Sequence, residues 1–471
     1  MEDNSQAAVP YRVLKVQVTM DHHIDSLTAI LGAGGVKSGT SVTAYDPGFD
    51  GGNLSAGLAV LPHTTQQISD LVRYCQSVRL SLVPQGGRTG LSGAARSTEG
   101  QLILMMQAMA NIIAIDAVSH TVIVEAGCTL EALEMAVRQH GLTCGIDLGA
   151  RGTATIGGMI ATNAGGQEAF RFGPMRQRVL GLEVVLPDGR VMGDLTQVIK
   201  ANGGYDVKQL FIGSEGTLGI ITRACLRLAP YEGQAITGLV AIDSLDNAIR
   251  LFRRLEAQTK GRLLRAELMS AGHVQVSVKD HGEVALGRFA QHKDCVIFEF
   301  TDPVVLEEEL GQALEEGLIA DALICKNEKE RATIWKIRED WAVDRAFPDG
   351  LWFDISVPLA SLKRYIDGLS VRLKSLNPAF QLFHIGHMGD GNLHITVNAE
   401  FPVSDHYQAV SKLVYEDLAT YGGFFSAEHG IGLEKQDALR DQSDPVRLAL
   451  MQEIKRLIDP MGIMNPGKVL G

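Results

Sequence analysis

The sequence has no run of about 18 or more apolar residues, the length that a membrane-spanning helix requires. Its first twenty residues contain early acids and lack the apolar stretch of a secretory signal. Long blocks of like charge are also missing, and acidic residues outnumber basic ones by 55 to 43. We therefore expect a cytoplasmic protein with no membrane span and no nucleic-acid partner, while a peripheral membrane role stays open.

Closely spaced cysteine pairs are absent too. None of the six cysteines belongs to a C-x-x-C or zinc-ribbon pattern, so the sequence predicts reduced, mostly buried thiols. The six are Cys75, Cys128, Cys144, Cys225, Cys295 and Cys325. Neither an iron–sulfur spacing nor a haem motif occurs, so the sequence predicts no such redox centre in this chain.

The chain also lacks the G-x-x-x-x-G-K-[ST] signature, and its first glycine-rich segment does not have G-x-G-x-x-G spacing. Three glycine-rich segments are present instead, at Ser81–Gly93, Gly149–Gly166 and Leu210–Ala224. Glycine adopts positive φ freely and lets backbone N–H groups approach an anion. One such segment is more often only a tight turn. Three in one half of the chain predict repeated contact with one extended ligand.

Short β-rich runs alternate with helical ones, and the pattern of these runs changes near Ala229–Pro230, which predicts a domain boundary there. The spacing predicts a helix over 63–80 before the first glycine-rich segment and another over 129–139. Residues 179–191 predict two strands about a Pro-Asp-Gly turn. With 471 residues, 45% of them hydrophobic, the chain can form two or three domains, and the mixed order predicts an α+β fold.

Two β-rich arms around a Gly-Asp-Gly turn make up FHIGHMGDGNLHITV, which predicts a hairpin. His387 and His394 flank the turn, and Glu428 and His429 follow later in SAEHG. Two histidines and a carboxylate are a common ligand set for a catalytic zinc, or for a harder divalent metal if more oxygens join. A histidine pair alone is more often structural. His384 has the opposite parity on its strand and is expected to face elsewhere.

Six motifs occur in an order known from one flavoprotein family: PQGGRTGLSGA, TATIGGMIATNAGG, FIGSEGTLGIIT, GHMGDGNLH, SAEHGIG and MNPGKVL. In these motifs the chain resembles the FAD-dependent D-2-hydroxyacid dehydrogenases of the vanillyl-alcohol-oxidase superfamily. That family includes D-lactate dehydrogenase, D-2-hydroxyglutarate dehydrogenase and the glycolate oxidase flavin subunit. The resemblance implies a two-part PCMH-type FAD-binding domain over 45–230 after a segment 1–44, an α/β cap domain over 231–420, and a segment 421–471 that returns to the flavin.

The resemblance implies that the glycine-rich segments and the C-terminal motif hold FAD. The residues that carry over are Pro84, Gly86, Gly87, Arg88, Thr89, Gly90, Leu91, Ser92, Gly93, Gly152, Thr155, Gly158, Thr162, Gly165, Glu215, Ile221 and Asn465. Some superfamily members attach flavin covalently through a histidine in the first segment or a later cysteine. Because the first segment here has no histidine, we expect dissociable FAD.

The resemblance also implies a divalent metal, with zinc favoured, at His387, His394 and Glu428, and it makes His429 the proton acceptor. Arg338, in WKIRED, matches the arginine that binds the substrate carboxylate in this family. On residue type alone, this arginine would be an exposed helix residue beside an acidic neighbour.

Two departures from the family concern the substrate. Members that act on dicarboxylates often have a lysine just before the D-[ILV]-S-[VL]-P strand, where this chain has Trp352 and Phe353. The family's motif frequently ends in an asparagine two residues after the second histidine, where this chain has Thr396. Both changes remove polar groups that would hold a second carboxylate. The sequence therefore favours oxidation of a D-lactate-like monocarboxylate to the 2-oxo acid, with D-2-hydroxyglutarate as the alternative.

Other functions stay open at this stage. A metallohydrolase would activate water with the two histidines and the glutamate and would use the glycine-rich segments as scaffold. A non-redox member of the superfamily, such as an alkyl-transferring synthase, would bind flavin without being reduced by hydroxy acids. A nucleotide-binding regulatory module would need neither base nor metal. A dehydrogenase would pass electrons to a separate electron-transfer flavoprotein, cytochrome, quinone or oxygen, and a homodimer is left open.

Overall fold

The computed structural model describes residues 20–260 and 263–471. The strands are β1 Val36–Ser38, β2 Leu58–Val60, β3 Ser81–Gln85, β4 Gln101–Met105, β5 Ile112–Asp116, β6 Thr121–Glu125, β7 Leu142–Thr143, β8 Val179–Val185, β9 Val191–Asp194, β10 Ile220–Arg227, β11 Ala229–Pro230, β12 Ile236–Ile242, β13 Arg265–Ser270, β14 Asp294–Phe300, β15 Asp321–Ile324, β16 Leu351–Ser356, β17 Gln381–His387 and β18 Asn392–Asn398. The helices are α1 Ile24–Leu31, α2 Thr40–Thr43, α3 Thr65–Val78, α4 Leu130–Arg138, α5 Ile156–Thr162, α6 Ala169–Phe172, α7 Met175–Arg178, α8 Leu245–Gln258, α9 Ala271–His281, α10 Pro303–Glu315, α11 Glu328–Glu339, α12 Ala342–Ala346, α13 Leu359–Leu376, α14 Tyr407–Tyr415, α15 Gln436–Gln442 and α16 Pro445–Ile458.

A small mixed sheet, in the order β1-β2-β4-β3, carries the first glycine-rich segment at the end of β3. The helix that leads to β3 begins as the sequence predicts, because Thr64 Oγ1 accepts a hydrogen bond from the Gln67 N–H. Its apolar positions recur at helical spacing and are buried. They are Ile68, Leu71, Val72 and Cys75.

An antiparallel sheet, in the order β5-β6-β10-β8-β9, lies beside the first and shares its apolar core. The β8–β9 connection is the predicted Pro-Asp-Gly turn, with Gly189 at a φ of 79°. The third glycine-rich segment runs into the first residues of β10, so its turn lies at one end of this sheet. The two sheets place all three glycine-rich segments in one half of the molecule.

The second half forms a seven-stranded antiparallel sheet in the order β15-β12-β14-β13-β17-β18-β16. Helices α8, α10, α13 and α14 pack on one face, and α9 and α11 pack on the other. The predicted hairpin is β17–β18, in which Ile385 lies opposite His394. Gly391 has a φ of 76°, and a Cβ there would lie 2.0 Å from Val357 O, so the turn requires glycine.

The C-terminal segment crosses back to the N-terminal half. Leu82 of β3 forms a parallel bridge with Met464, and Ile463 and Met464 belong to the first apolar core. The molecule therefore has an α+β architecture with two domains, and the C-terminal segment packs against the first of them. The boundary that the sequence predicts at residue 230 falls between β11 and β12.

Three further predictions concern the cysteines, a membrane-spanning helix and the first twenty residues. All six cysteines are free, and five of them are buried. None of the described helices is both long enough and apolar enough to cross a bilayer. The expectation drawn from the first twenty residues falls almost wholly on positions 1–19, outside the described residues.

Candidate active site

A cavity of about 300 Å³ lies between the three glycine-rich segments. Most of the residues predicted to hold a cofactor line it. They are Pro84, Gly86, Gly87, Arg88, Thr89, Gly90, Leu91, Thr155, Gly158, Thr162, Glu215 and Ile221. Glu428 and His429 line the same cavity, so the glycine-rich segments and the SAEHG motif meet there.

The first and second glycine-rich segments touch through their backbones. A Cβ on Gly87 would lie 1.9 Å from Thr153 O, and one on Gly86 would lie 2.2 Å from Thr155 Oγ1. Glycine is therefore required for this close approach. In the cavity wall, Arg88 Nη1 is buried and meets no hydrogen-bond partner among the described residues. A buried guanidinium N–H without a partner suits an anionic group such as the pyrophosphate of FAD.

Five of the predicted cofactor residues are not among those that line the cavity. They are Ser92, Gly93, Gly152, Gly165 and Asn465. Ser92 Oγ donates to His429 O over 2.9 Å, and Asn465 Nδ2 donates to Glu215 O over 2.8 Å. These two side chains hold residues that do line the cavity, and their role in cofactor binding stays a prediction.

Glu215 joins the third glycine-rich segment to the C-terminal part of the chain. Its carboxylate accepts hydrogen bonds from the N–H groups of Ile431 and Gly432, at 2.7 and 2.8 Å. Its backbone has a φ of 52°, an uncommon value for a residue with a side chain. Burial raises the pKa of this carboxyl to about 7, although both backbone hydrogen bonds oppose the shift.

His387, His394 and Glu428 converge as the hairpin pattern predicts. Glu428 Oε1 lies 3.5 Å from His387 Nε2 and 3.3 Å from His394 Nε2. Ligand bonds of about 2.0–2.1 Å around a tetrahedral cation give ligand separations of ~3.4 Å. Glu428 Oε2 accepts a hydrogen bond from the Gly166 N–H, so the cluster is attached to the second glycine-rich segment. The three side chains thus fit a divalent cation.

A second carboxylate, Asp354 of β16, organises the loop that carries Glu428 and His429. Its Oδ2 accepts hydrogen bonds from the N–H groups of Ala427, Glu428 and His429 at 3.0 to 3.1 Å, and from Lys435 Nζ at 3.0 Å. Burial opposes the charged form, but the positive charges nearby hold the pKa of Asp354 well below its usual range. Asp354 therefore positions the loop.

Two other groups of histidine and aspartate side chains have ligand atoms close enough together to bind a metal, but their carboxylates already have other partners. One contains Asp354, His394 and His429, where Asp354 Oδ2 already has four donors. The other contains Asp280, His281 and Asp340, where Arg345 pairs with both aspartates. Among the described residues, the cluster of His387, His394 and Glu428 is therefore the best candidate for a cation.

Glu267 of β13 links a candidate metal ligand to Arg338. His387 Nδ1 donates to Glu267 Oε1 over 2.8 Å, which leaves Nε2 free to bind a cation. Arg338 Nε donates to Glu267 Oε2 over 3.0 Å, and Arg338 Nη2 forms an ion pair with the same oxygen at 2.8 Å. The interpretation of Arg338 as an exposed helix arginine is wrong, because its side chain is buried against this carboxylate.

His429 lies beside the cluster. Its ring stacks on that of His394 with centroids 5.2 Å apart. Burial lowers its pKa, which favours the neutral imidazole. His384 bonds instead to Asp294 Oδ1 over 2.8 Å, on the opposite face of the sheet from His387, and this confirms the parity argument.

Sequence reasoning missed Glu267 and the anchoring role of Asp354. Each is a single acid within an apolar strand, in RAELMS and LWFDIS. A buried charge is costly unless it is paired, so an acid at such a position is itself a signal of a polar site. Met106 and Leu148 also line the cavity, and no comparable signal marks them.

Comparisons with known proteins agree with the geometry. The family model for FAD linked oxidases, C-terminal domain, matches residues 234–469, and the model for the FAD binding domain matches 56–193. The mitochondrial D-2-hydroxyglutarate dehydrogenase of Bos taurus is 36% identical over 88% of this chain and 77% of that protein. The chain belongs to the FAD-dependent D-2-hydroxyacid dehydrogenase family. It is therefore an FAD-linked oxidoreductase. A metallohydrolase would not account for the match of residues 56–193 to an FAD binding domain.

Other members of the family are similarly close. The D-2-hydroxyglutarate dehydrogenase of Xanthomonas citri is 35% identical over 87% of this chain and 88% of that protein. A putative mitochondrial D-lactate dehydrogenase of Schizosaccharomyces pombe is 30% identical over 92% of this chain and 88% of that protein.

Two solved structures share the fold. They are p-cresol methylhydroxylase with substrate bound, with a TM-score of 0.74 and 14% identity, and 4-ethylphenol oxidase from Gulosibacter chungangensis, with a TM-score of 0.73 and 17% identity. Each alignment covers 96% of this chain, and 96% and 97% of the respective structures. The likeness shows that this flavoprotein has the PCMH-type fold.

Gly87→Ala is expected to lower both FAD content and thermal stability. The new Cβ would overlap Thr153 O, so the first two glycine-rich segments must separate, at a cost of about 1–3 kcal/mol. Gly51→Ala is the control, because a Cβ there meets no atom within 4 Å. The ratio of flavin to protein absorbance and the melting temperature check the result. Full FAD content in Gly87→Ala would contradict the close approach.

Proposed function

We propose that this chain oxidises a D-2-hydroxy monocarboxylate to the 2-oxo acid, using non-covalently bound FAD, a divalent cation and a histidine base. The cation, with Zn²⁺ favoured, is held by His387, His394 and Glu428, and His429 is the base. The observation that carries the proposal is that Glu428 and His429 line the same cavity as the glycine-rich segments. The names of the relatives support a D-2-hydroxy acid as substrate.

Each bound group supplies one part of the chemistry. FAD, held by the glycine-rich segments, supplies the two-electron acceptor that the oxidation requires. The cation supplies positive charge that favours ionisation of the substrate hydroxyl. Loss of the hydroxyl proton and of a hydride from C2 together convert the hydroxy acid into the oxo acid.

The side chains of this protein bind the substrate and move its proton. Arg338 pairs with Glu267 through Nε and Nη2, and we assign its remaining nitrogen, Nη1, to the substrate carboxylate. Neutral His429 takes the hydroxyl proton at a ring nitrogen. Its position is fixed, since Asp354 binds its backbone N–H and Ser92 Oγ binds its carbonyl.

Two features around the substrate site favour a monocarboxylate. Thr396 lies opposite Trp352 in the β16–β18 ladder. By the family resemblance, the motif often has asparagine at the first position, and members that act on dicarboxylates often have lysine near the second. Thr396 Oγ1 already accepts a hydrogen bond from Asn398 Nδ2. Neither residue supplies a cation for a second carboxylate.

Anaerobic bleaching of the flavin band by a panel of D- and L-2-hydroxy acids tests the proposal. We expect bleaching by a D-acid, none by its L-isomer, and loss of bleaching after treatment with a chelator. Addition of Zn²⁺ to the chelated protein should restore it. A flavin that no hydroxy acid reduces would overturn the proposal and favour a non-redox member of the superfamily.

The electron acceptor lies outside this chain in our proposal, as an electron-transfer flavoprotein, a cytochrome or a quinone. The sequence contains no iron–sulfur or haem motif, which supports an acceptor on a separate protein or molecule. A cytoplasmic location and a homodimeric state stay predictions.

A further inference from the structure

Three exposed aromatic side chains meet where the FAD-binding domain borders the cap domain. Phe49 and Trp341 have ring centroids 5.8 Å apart, and Trp341 and Trp352 have centroids 6.1 Å apart. Their exposed fractions are 56%, 47% and 39%. Clustered aromatic surface left open to solvent commonly marks a place where an apolar group binds. We call these three residues the aromatic cluster.

Two backbone relationships connect the aromatic cluster with the candidate active site. The Phe49 N–H donates to the carbonyl of Arg88, which lines the cavity. Trp352 lies on β16, where Asp354 is opposite His394, and side chains two positions apart on a strand share a face. Trp352 therefore lies on the same face of the sheet as the candidate metal ligand His394.

Trp341, the third member of the aromatic cluster, lies just after the helix that carries Arg338. It follows the C-terminal end of α11, and Arg338 lies in the last turn of that helix. In the proposed function the substrate carboxylate binds Arg338, its hydroxyl binds the cation that His394 and Glu428 would help to hold, and its C2 hydrogen leaves as hydride to FAD. The side chain is then the one remaining substituent on C2. That substituent meets the aromatic cluster if it extends along the sheet face beyond His394.

The charges beside the aromatic cluster disfavour an anionic substituent. Asp344 lies beside the indole of Trp352, and burial raises the pKa of its carboxyl to about 6. Asp340 precedes Trp341 and is paired with Arg345. A second substrate carboxylate would meet these aspartates, whereas an alkyl or aryl group gains contact with the rings.

We propose that Phe49, Trp341 and Trp352 bind the substituent on C2 of the substrate and select D-2-hydroxy acids with branched or aromatic side chains. This inference rests on the proposed function and adds the substrate class. D-Lactate has only a methyl group at this place, so it reaches little of the aromatic surface. Phe49 comes from the FAD-binding domain, so the selection depends on both domains.

The rate of anaerobic flavin reduction tests the proposal with four acids of one stereochemistry. They are D-lactate, D-2-hydroxyisocaproate, D-phenyllactate and D-2-hydroxyglutarate. Two aromatic contacts are worth about 10-fold or more, so we expect D-phenyllactate to exceed D-lactate in kcat/KM by at least that factor. Trp352→Ala should remove this advantage, whereas Trp352→Phe should keep it.

Tryptophan fluorescence gives a readout that does not depend on turnover. The chain has three tryptophans, and the third, Trp335, is buried and donates to Glu299. Binding of 4-methyl-2-oxopentanoate to the FAD-loaded enzyme should change the emission, and Trp352→Ala should weaken that binding about 10-fold. Tyr205→Ala is the control, because Tyr205 is fully exposed, and it should behave as wild type.

The outcomes separate this inference from the proposed function. Equal kcat/KM for D-lactate and D-phenyllactate, with normal bleaching by both, would overturn the role of the aromatic cluster and leave the proposed function intact. A preference for D-2-hydroxyglutarate in the wild-type enzyme would overturn both the role of the aromatic cluster and the monocarboxylate part of the proposed function. No bleaching by any acid would instead overturn the proposed function. A preference for D-phenyllactate that Trp352→Ala leaves unchanged would assign the selection to other residues.

Discussion

His429→Ala is expected to keep its FAD and to be reduced by a D-2-hydroxy acid about 10²–10⁴-fold more slowly than the wild type. The side chain is the proposed proton acceptor. Its backbone contacts to Asp354 and Ser92 do not depend on the ring, so the loop should stay in place. Stopped-flow absorbance near the flavin band measures the rate, and the flavin-to-protein ratio checks the cofactor. An unchanged rate would remove His429 from the mechanism.

The pH dependence of the wild type gives an independent check on His429. Burial lowers the pKa of this imidazole, so the neutral form persists to lower pH than for an exposed histidine. Because the neutral form is the base, the acidic limb of kcat/KM should fall below the ordinary value of about 6.5. This limb should be absent in His429→Ala. A wild-type limb above that value would contradict a buried, neutral base.

His387→Ala is expected to lose its bound metal and more than about 10²-fold of its activity. Loss of an outer hydrogen-bond partner already costs about 10–100-fold, and loss of a ligand should cost more. The variant also leaves Glu267 without its histidine partner, although Arg338 still pairs with that carboxylate. Elemental analysis of the purified protein measures the metal, and flavin bleaching measures the activity.

His384→Ala is the matched control for His387→Ala. The two histidines lie on the same strand, and both are buried against a carboxylate, but His384 faces away from the cluster. We expect His384→Ala to keep stoichiometric metal even if its melting temperature falls. Retention of metal in His387→Ala would show that the ligands are wrongly assigned. Loss of metal in both variants would show that the effect is one of folding.

The sequence predicts those features of this protein that depend on local pattern. The hairpin around Gly391 follows from a Gly-Asp-Gly turn between β-rich arms, and period-two alternation then places His387 and His384 on opposite faces. The α3 helix follows from its threonine cap and its apolar spacing. The convergence of Glu428 with both histidines was predicted as a ligand set, and the resemblance to a flavoprotein family supplied its context.

Features that depend on long-range packing could not be predicted in this way. Whether Arg338 is exposed or buried depends on Glu267, which lies on a strand distant in sequence. The loop over 427–429 is held by Asp354 through backbone N–H groups, and those groups are the same in every sequence. Phe49 joins Trp341 only because the two domains meet. In each case the tertiary fold determines which distant residue makes the contact.

The return of the C-terminal segment to β3 has a consequence for biosynthesis. Asn465 binds Ala94 across 371 positions and also holds Glu215 in the cavity wall. Translation proceeds from the N-terminus, so residues up to Asn465 must be synthesised before these contacts form. The wall of the cofactor cavity is therefore completed only after the C-terminal motif has left the ribosome, long after the three glycine-rich segments have been made.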